Sequence, residues 1–175
     1  MKNYLVVGKP INHSLSPNLH NYWINKYKIN ALYKKKELSK DELKDLIKDL
    51  RNKEIAGVNI TVPFKKEVIP YIDKLTTRAN ITQSVNTLYL DNEKIVGDNT
   101  DIEGFEKSIQ NLEYDLQNKR VFIIGSGGVV SSIIYALNKN KSLKISVTNR
   151  TREKADNLKI IFKDLHVVNW GTVPD

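Results

Sequence analysis

The segment Gly57-Val58-Asn59-Ile60-Thr61-Val62-Pro63-Phe64-Lys65-Lys66 constrains this chain more than any other. Val58, Ile60 and Val62 alternate with Asn59 and Thr61, the period-2 pattern of a strand with one apolar face. Pro63 ends that strand, because proline has no N–H to offer the ladder. The pattern predicts a strand over 57–62 and a short helix over 64–69. It turns Asn59 and Thr61 away from the apolar face. It also sets Lys65 just past the strand end, where an open α/β sheet presents ligand-binding groups. A lysine there carries a proton if a neighbour holds it against a substrate; the plainer alternative is the solvated start of a helix.

The flanking sequence builds a sheet around this strand. Residues 3–8 read as a first strand closed by Gly8 and Pro10. Ser16 is a natural N-cap with Pro17 at the first helical position, which starts a helix running to about Tyr27. A strand is expected over 31–37. Ser39 and Glu42 form a capping box for the next helix, in which Leu43, Leu46, Ile47 and Leu50 fall at i, i+3, i+4 and i+7 on one face. The result is a β-α-β-α-β pattern, an open sheet with helical cover. A short helical piece follows Pro70. Strands over 84–90 and 94–97 are then joined by a turn at Asp91-Asn92, and a helix is expected over 102–112 with Phe105, Ile109 and Leu112 on one side.

At Arg120 the character changes. Val121-Phe122-Ile123-Ile124 is the solid apolar run of a central parallel strand, and it enters Gly125-Ser126-Gly127-Gly128-Val129-Val130. A helix 129–138, a strand 143–148, a helix 152–163 and a last strand at Val167-Val168 complete the pattern. A glycine-rich turn between strand and helix lets backbone N–H groups approach a pyrophosphate at a helix N-terminus. The following strand ends about twenty residues on, where NAD-specific folds place an acid for the ribose hydroxyls. Here that place holds Asn149, Arg150 and Thr151, with Lys154 a turn further. Positive charge there favours a 2′-phosphate, hence NADP over NAD. The simpler alternative is a βαβ unit with a solvated basic surface.

Composition narrows the class. The 175 residues allow one ordinary domain or two small ones, and 40% hydrophobic with 27% charged residues is the balance of a packed core under a soluble surface. The start is too short in apolar residues for a signal peptide, and no apolar run is long enough to cross a membrane. Without cysteine there are no disulfides, thiol nucleophiles or Cys-ligated zinc, and no residue is assigned to a metal. These features favour the cytoplasm. The net charge of +8 invites a nucleic-acid partner, but the lysines are spread among acids and are not interleaved with exposed aromatics. Their longest run is only Lys34-Lys35-Lys36. A positive field equally suits a small anionic substrate and a phosphorylated cofactor.

The polar groups of the first half, Ser14, Ser16, Asn59, Thr61, Lys65, Asn86 and Asp101, lie at strand ends or in loops after strands, positions from which they can converge. Each has a structural alternative: Ser16 as a cap, Asn86 as a turn residue, Asp101 as an N-cap or first-turn acid, and His13 and His20 as packing or surface residues. Taken in order, however, the motifs resemble the shikimate dehydrogenase family. They are Gly8-x-Pro10-Ile11-x-His13-Ser14-x-Ser16-Pro17 with Asn21; Gly57-x-Asn59-x-Thr61-x-Pro63-x-Lys65; Val85-Asn86-Thr87; Gly97-x-Asn99-Thr100-Asp101 with Gly104-Phe105; the Gly125 loop; and Asn149-Arg150-Thr151.

The resemblance implies NADPH-dependent reduction of 3-dehydroshikimate to shikimate, in the pathway to chorismate and aromatic amino acids. It implies that Ser14, Ser16, Asn59, Thr61 and Asn86 bind the substrate and that Lys65 with Asp101 handles the proton. Gly125, Ser126, Gly127, Gly128, Val129, Asn149, Arg150, Thr151 and Lys154 would bind NADP. The expected architecture is α/β: an open α/β substrate domain over 1–101, then an incomplete Rossmann-type NADP-binding domain over 102–175. The expected partner is a small-molecule substrate, not nucleic acid or a membrane, and assembly into a homodimer is compatible with such a chain. Two departures stand out. The family loop continues with small residues where this chain has Val129 and Val130, whose bulk is expected to crowd the helix–strand packing or the pyrophosphate. The family's nucleotide domain has a six-stranded sheet, whereas this sequence ends at Asp175 after about half of it. The alternative expectation is therefore a shikimate-binding relative with impaired catalysis.

Overall fold

A computed structural model describes residues 1–174, and backbone contacts divide the chain into two compact units, Met1–Asn99 and Thr100–Asp175. In the first unit the elements run β1 (Lys2–Gly8), α1 (Ser16–Lys26), β2 (Ala31–Glu37), α2 (Leu43–Arg51), β3 (Gly57–Ile60), α3 (Phe64–Glu67), a 3-10 turn (Ile69–Tyr71), β4 (Lys74–Leu75), α4 (Thr77–Thr82), β5 (Thr87–Asp91) and β6 (Lys94–Asp98). The strands form one sheet in the order β2-β1-β3-β5-β6-β4. β1 is parallel to β2 and β3, β5 is antiparallel to β3 and β6, and β4 is parallel to β6.

One face of this sheet carries the main core. Val7, Val58, Ile60, Leu88 and Ile95 pack against Leu43, Leu46, Ile47 and Leu50 of α2, with Phe64, Val68, Ala79 and Val85 closing the cluster. The i, i+3, i+4, i+7 stripe of α2 is buried as its period predicts. Truncating one such leucine to alanine costs about 2–5 kcal/mol. On the other face a smaller cluster joins Val6, Ile11 and Tyr33 to Tyr4 and Ile24. Here the Asn21 side chain of α1 imitates a neighbouring strand: its Nδ2 donates to the Tyr33 carbonyl at 2.8 Å and its Oδ1 accepts from the Tyr33 N–H at 3.0 Å. The basic run Lys34–Lys36 lies exposed on β2, the outer strand of the order. Exposed lysines there discourage further strand pairing.

The second unit contains α5 (Asp101–Asn111), β7 (Arg120–Ile124), α6 (Val130–Lys139), β8 (Lys144–Thr148), α7 (Arg152–Asp156), a 3-10 turn (Asn157–Ile160) and β9 (His166–Val167). Among the described residues its sheet is parallel, in the order β7-β8-β9. Ile134 and Leu137 of α6, Ile145 and Val147 of β8, and Ala155, Leu158, Phe162 and Leu165 form its core.

Several expectations are corrected. The central strand stops at Ile60, and Val62 is 57% exposed rather than part of the apolar face. Backbone pairing nonetheless continues past the strand: the Thr61 N–H donates to the Val7 carbonyl and the Lys9 N–H to the Val62 carbonyl, both at 2.9 Å. The helix expected over 64–69 is α3 followed by the 3-10 turn at Pro70. The strand expected from residue 84 starts at Thr87, because the Val85 N–H is drawn to the Lys65 carbonyl at 2.8 Å. Ser16 does not cap α1. It is the first helical residue, Leu15 is the cap position, and the Ser14 hydroxyl accepts from the Ser16 N–H at 3.3 Å. In the expected capping box Glu42 does reach back to the Ser39 N–H at 2.7 Å, but the Ser39 hydroxyl donates to the same carboxylate instead of accepting from the helix. Leu112 is exposed. The helix expected over 152–163 divides into α7 and a 3-10 turn. Among the described residues β7 stands at the end of the strand order, not the centre, with Ile124 exposed.

Candidate active site

The first unit gathers most of the expected substrate residues at one end of its sheet. β1 and β3 are parallel, so the loop after Gly8, with Ser14 and Ser16, and the segment after Ile60, with Thr61 and Lys65, leave the same edge. β5 runs the other way, so Asn86, just before it, returns to that edge, as do the last residues of β6. Gly8 makes the close approach possible. A Cβ there would lie 2.5 Å from Cγ2 of Thr61 and 2.9 Å from the Val62 carbonyl, so only glycine fits.

Asn59 and Asn86 are tied to each other. Asn59 accepts the Tyr33 hydroxyl at 2.6 Å, and its Nδ2 donates to the Asn86 carbonyl at 3.3 Å and the Thr87 hydroxyl at 3.2 Å. Burial pushes the Tyr33 phenol up from its ordinary pKa, so the hydroxyl stays a donor. His20 stacks on the Tyr33 ring with centroids 4.2 Å apart, and burial lowers its pKa. Asn59 is thus a strut behind Asn86. The Asn86 carbonyl also accepts the Ile60 N–H at 2.8 Å, and its N–H donates to the Asp98 carbonyl at 2.9 Å. Lys65 is half-buried on α3, with the neighbouring Val85 bonded to its carbonyl. Asp101 is the first residue of α5, with Thr100 at the cap position, and belongs to the second unit.

In the second unit, Ser126, Gly127, Asn149, Arg150, Thr151 and Lys154 line one cavity of about 190 Å³. β7 and β8 deliver both segments there: the Gly125 N–H donates to the Thr148 carbonyl at 2.7 Å, and the Ser126 N–H to Asn149 Oδ1 at 3.2 Å. Asn149 in turn donates to the Thr151 carbonyl at 2.8 Å. Gly125 has a φ of +111°, a conformation that favours glycine, and nothing lies within 4 Å of a Cβ built at Gly125 or Gly127. The Ser126 and Thr148 hydroxyls are buried without a hydrogen-bond partner. Open space over the glycines, a buried hydroxyl in need of a partner and the Arg150–Lys154 cations fit a phosphate-bearing ligand.

Two family descriptions match this chain: "Shikimate dehydrogenase substrate binding domain" over residues 6–88 and "Shikimate / quinate 5-dehydrogenase" over residues 106–170. The chain belongs to the shikimate dehydrogenase family. It is similar to the shikimate dehydrogenase (NADP(+)) of Pelagibacter ubique, with 54% identity over 99% of this chain and 66% of the relative. Shikimate dehydrogenase from Aquifex aeolicus superposes with a TM-score of 0.89 at 39% identity, covering 97% of this chain and 63% of that one. The Thermus thermophilus shikimate 5-dehydrogenase, solved in complex with NADP(H) and shikimate, gives a TM-score of 0.85 at 27% identity over 96% of this chain and 63% of that one. The chain thus spans just under two thirds of these relatives.

The valines that depart from the family's loop pattern differ in their surroundings. Val130 opens α6 and is 6% exposed within the core, while Val129 at the cap position is 41% exposed. Sequence reading assigned no role to Tyr33, Arg78 and Asp98, and quoted Thr87 only as part of a motif. Asp98 Oδ1 accepts from the Thr76 hydroxyl and Arg78 Nε, both at 2.7 Å, and from the Asn99 N–H at 2.8 Å; Oδ2 accepts from Arg78 at 2.6 Å. The Arg78 guanidinium, with Thr76 and the Asn99 N–H, holds the Asp98 carboxyl down at about 2. The available signal was Asp98's place inside the Gly97–Asp101 motif; Arg78 offered none.

Proposed function

We propose that this chain binds shikimate and NADP(H) and interconverts 3-dehydroshikimate and shikimate. When bound, NADPH supplies the hydride that reduces the ring carbonyl. The chain's own residues bind, orient and protonate. Ser14 and Ser16 offer hydroxyl donors to the substrate carboxylate, and Thr61 and Asn86 read the ring hydroxyls. Asn59 fixes Asn86 from behind. Lys65 gives its proton to the developing alkoxide, and Asp101 is the second residue we assign to proton handling. Arg150 and Lys154 would hold the 2′-phosphate, with Asn149 and Thr151 beside them, and Gly125, Ser126, Gly127, Gly128 and Val129 would hold the pyrophosphate.

The observation that carries this reading is the convergence of Thr61, Lys65, Asn86 and the Ser14 loop at one end of the first sheet, with Gly8 shaped to admit Thr61. The family membership of both units supports it. Among the described residues no helix is long and apolar enough to cross a membrane; the cytoplasm is the compartment we propose for this activity.

The test is reduction of 3-dehydroshikimate followed by loss of NADPH absorbance, in the wild type and in Lys65→Ala. Turnover should fall by about 10²–10⁴-fold in the variant while shikimate affinity measured by calorimetry changes little. Equal turnover in both would remove Lys65 from the chemistry.

A further inference from the structure

We infer that Arg78 and Asp98 are positioning residues for substrate recognition, acting through Asn86; the inference rests on the substrate site proposed above. The two side chains form a largely buried, two-point ion pair between α4 and the end of β6, with Arg78 33% and Asp98 12% exposed. Such a pair is weak evidence for stability, since desolvation cancels much of the attraction. Its geometry is more informative.

The Asp98 carboxylate draws Thr76, Arg78 and the Asn99 N–H to one point, which locks the end of β6 onto the start of α4. The main chain of the same residue then takes the Asn86 N–H. Asn99, fully buried, completes the bracket: its Nδ2 donates to the Thr82 hydroxyl at 3.2 Å and to the Ser84 carbonyl at 2.9 Å. Segment 84–86 is therefore gripped at Ser84 by Asn99 and at Asn86 by Asp98, and the Asn86 carbonyl is gripped by Ile60 and Asn59. Both main-chain polar groups of Asn86 are held, so its side chain starts from a fixed base. Arg78 sets that base because its planar fork matches both carboxylate oxygens, which a lysine cannot do.

The experiment is a double-mutant cycle on the full chain, with shikimate affinity read by calorimetry, thermal midpoint alongside and NADP+ affinity as the control. Arg78→Lys should weaken shikimate by about tenfold, within the coupling range of residues in one network, and leave NADP+ affinity unchanged. In an Asn86→Ala background the same substitution should cost less than about twofold. Thr82→Val, which removes the Asn99 contact and the Thr82 hydroxyl's bond to the Arg78 carbonyl at 2.7 Å, should weaken shikimate in the same direction and lose its effect in the same background. Losses that simply add would overturn the inference, as would unchanged shikimate affinity in a folded Arg78→Lys chain. A wild-type chain that binds NADP+ but not shikimate would overturn the substrate-site reading, and this inference with it.

Discussion

Asp98 makes acid sensitivity a quantitative test of the buried ion pair. Its carboxyl sits at about 2 in the folded chain against an ordinary 3.8. The folded state therefore favours the charged form, and the pair contributes stability above the unfolded pKa that is lost as pH falls through the folded one. The difference corresponds to about 2 kcal/mol at neutral pH. Between pH 4 and pH 2 this declines, with roughly half gone at pH 3. Asp98→Asn abolishes the titration and also faces Arg78 with a neutral amide, so at pH 6 it should cost about 3–5 kcal/mol, the penalty for removing one partner of a buried pair. Urea unfolding midpoints of wild type and variant, measured from pH 6 down to pH 2.5, report the gap directly. The gap should be constant from pH 6 to 5 and then narrow by about 1–2 kcal/mol as pH falls. A gap that stays constant to pH 2.5 would mean that the Asp98 carboxyl titrates alike in folded and unfolded chains, and the clamp described above would lose its electrostatic basis.

Other substitutions test the two sites. Gly8→Ala forces a methyl to within 2.5 Å of Thr61 and 2.9 Å of a backbone carbonyl; it should destabilise by about 1–3 kcal/mol in thermal unfolding and weaken shikimate in calorimetry, because Thr61 must move. Gly125→Ala meets no steric contact but must adopt a φ of +111°; it should cost about 1–3 kcal/mol in unfolding and reduce NADP+ affinity, with shikimate affinity unchanged. Arg150→Asp should weaken NADP+ far more than NAD+ in parallel titrations, and equal losses would remove Arg150 from the 2′-phosphate.

Local patterns made much of the fold readable. The spacing of Leu43, Leu46, Ile47 and Leu50 fits one helical period, and that face is buried as a unit. The glycine turn at 125–128 was legible because a tight turn between an apolar strand and a helix requires that chemistry, and Asn149, Arg150, Thr151 and Lys154 do line the cavity with Ser126 and Gly127. Longer-range features were not legible. The antiparallel reversal that returns Asn86 to the end of the sheet where Thr61 and Lys65 lie depends on pairing of β5 with β3 and β6, which no local period encodes. Arg78 reads as one more basic residue on a short helix until Asp98 meets it across a separation of 20 residues. Val62 continues the strand alternation and its carbonyl still accepts the Lys9 N–H, yet the regular strand ends at Ile60 and the Val62 side chain lies exposed. Ser16 had the right type for a cap, but the turn at Ile11–Ser14 put the Ser14 hydroxyl there first.

Transfer of isotope tests hydride chemistry by this chain most directly. The chain is incubated with 3-dehydroshikimate and NADPH deuterated at the transferable nicotinamide position, and the product is examined by mass spectrometry and NMR. The account predicts shikimate carrying one deuterium on the carbon that held the carbonyl, with label transfer strongly reduced in Lys65→Ala. Unlabelled shikimate, or no shikimate from a chain that calorimetry shows to bind both ligands, would contradict it.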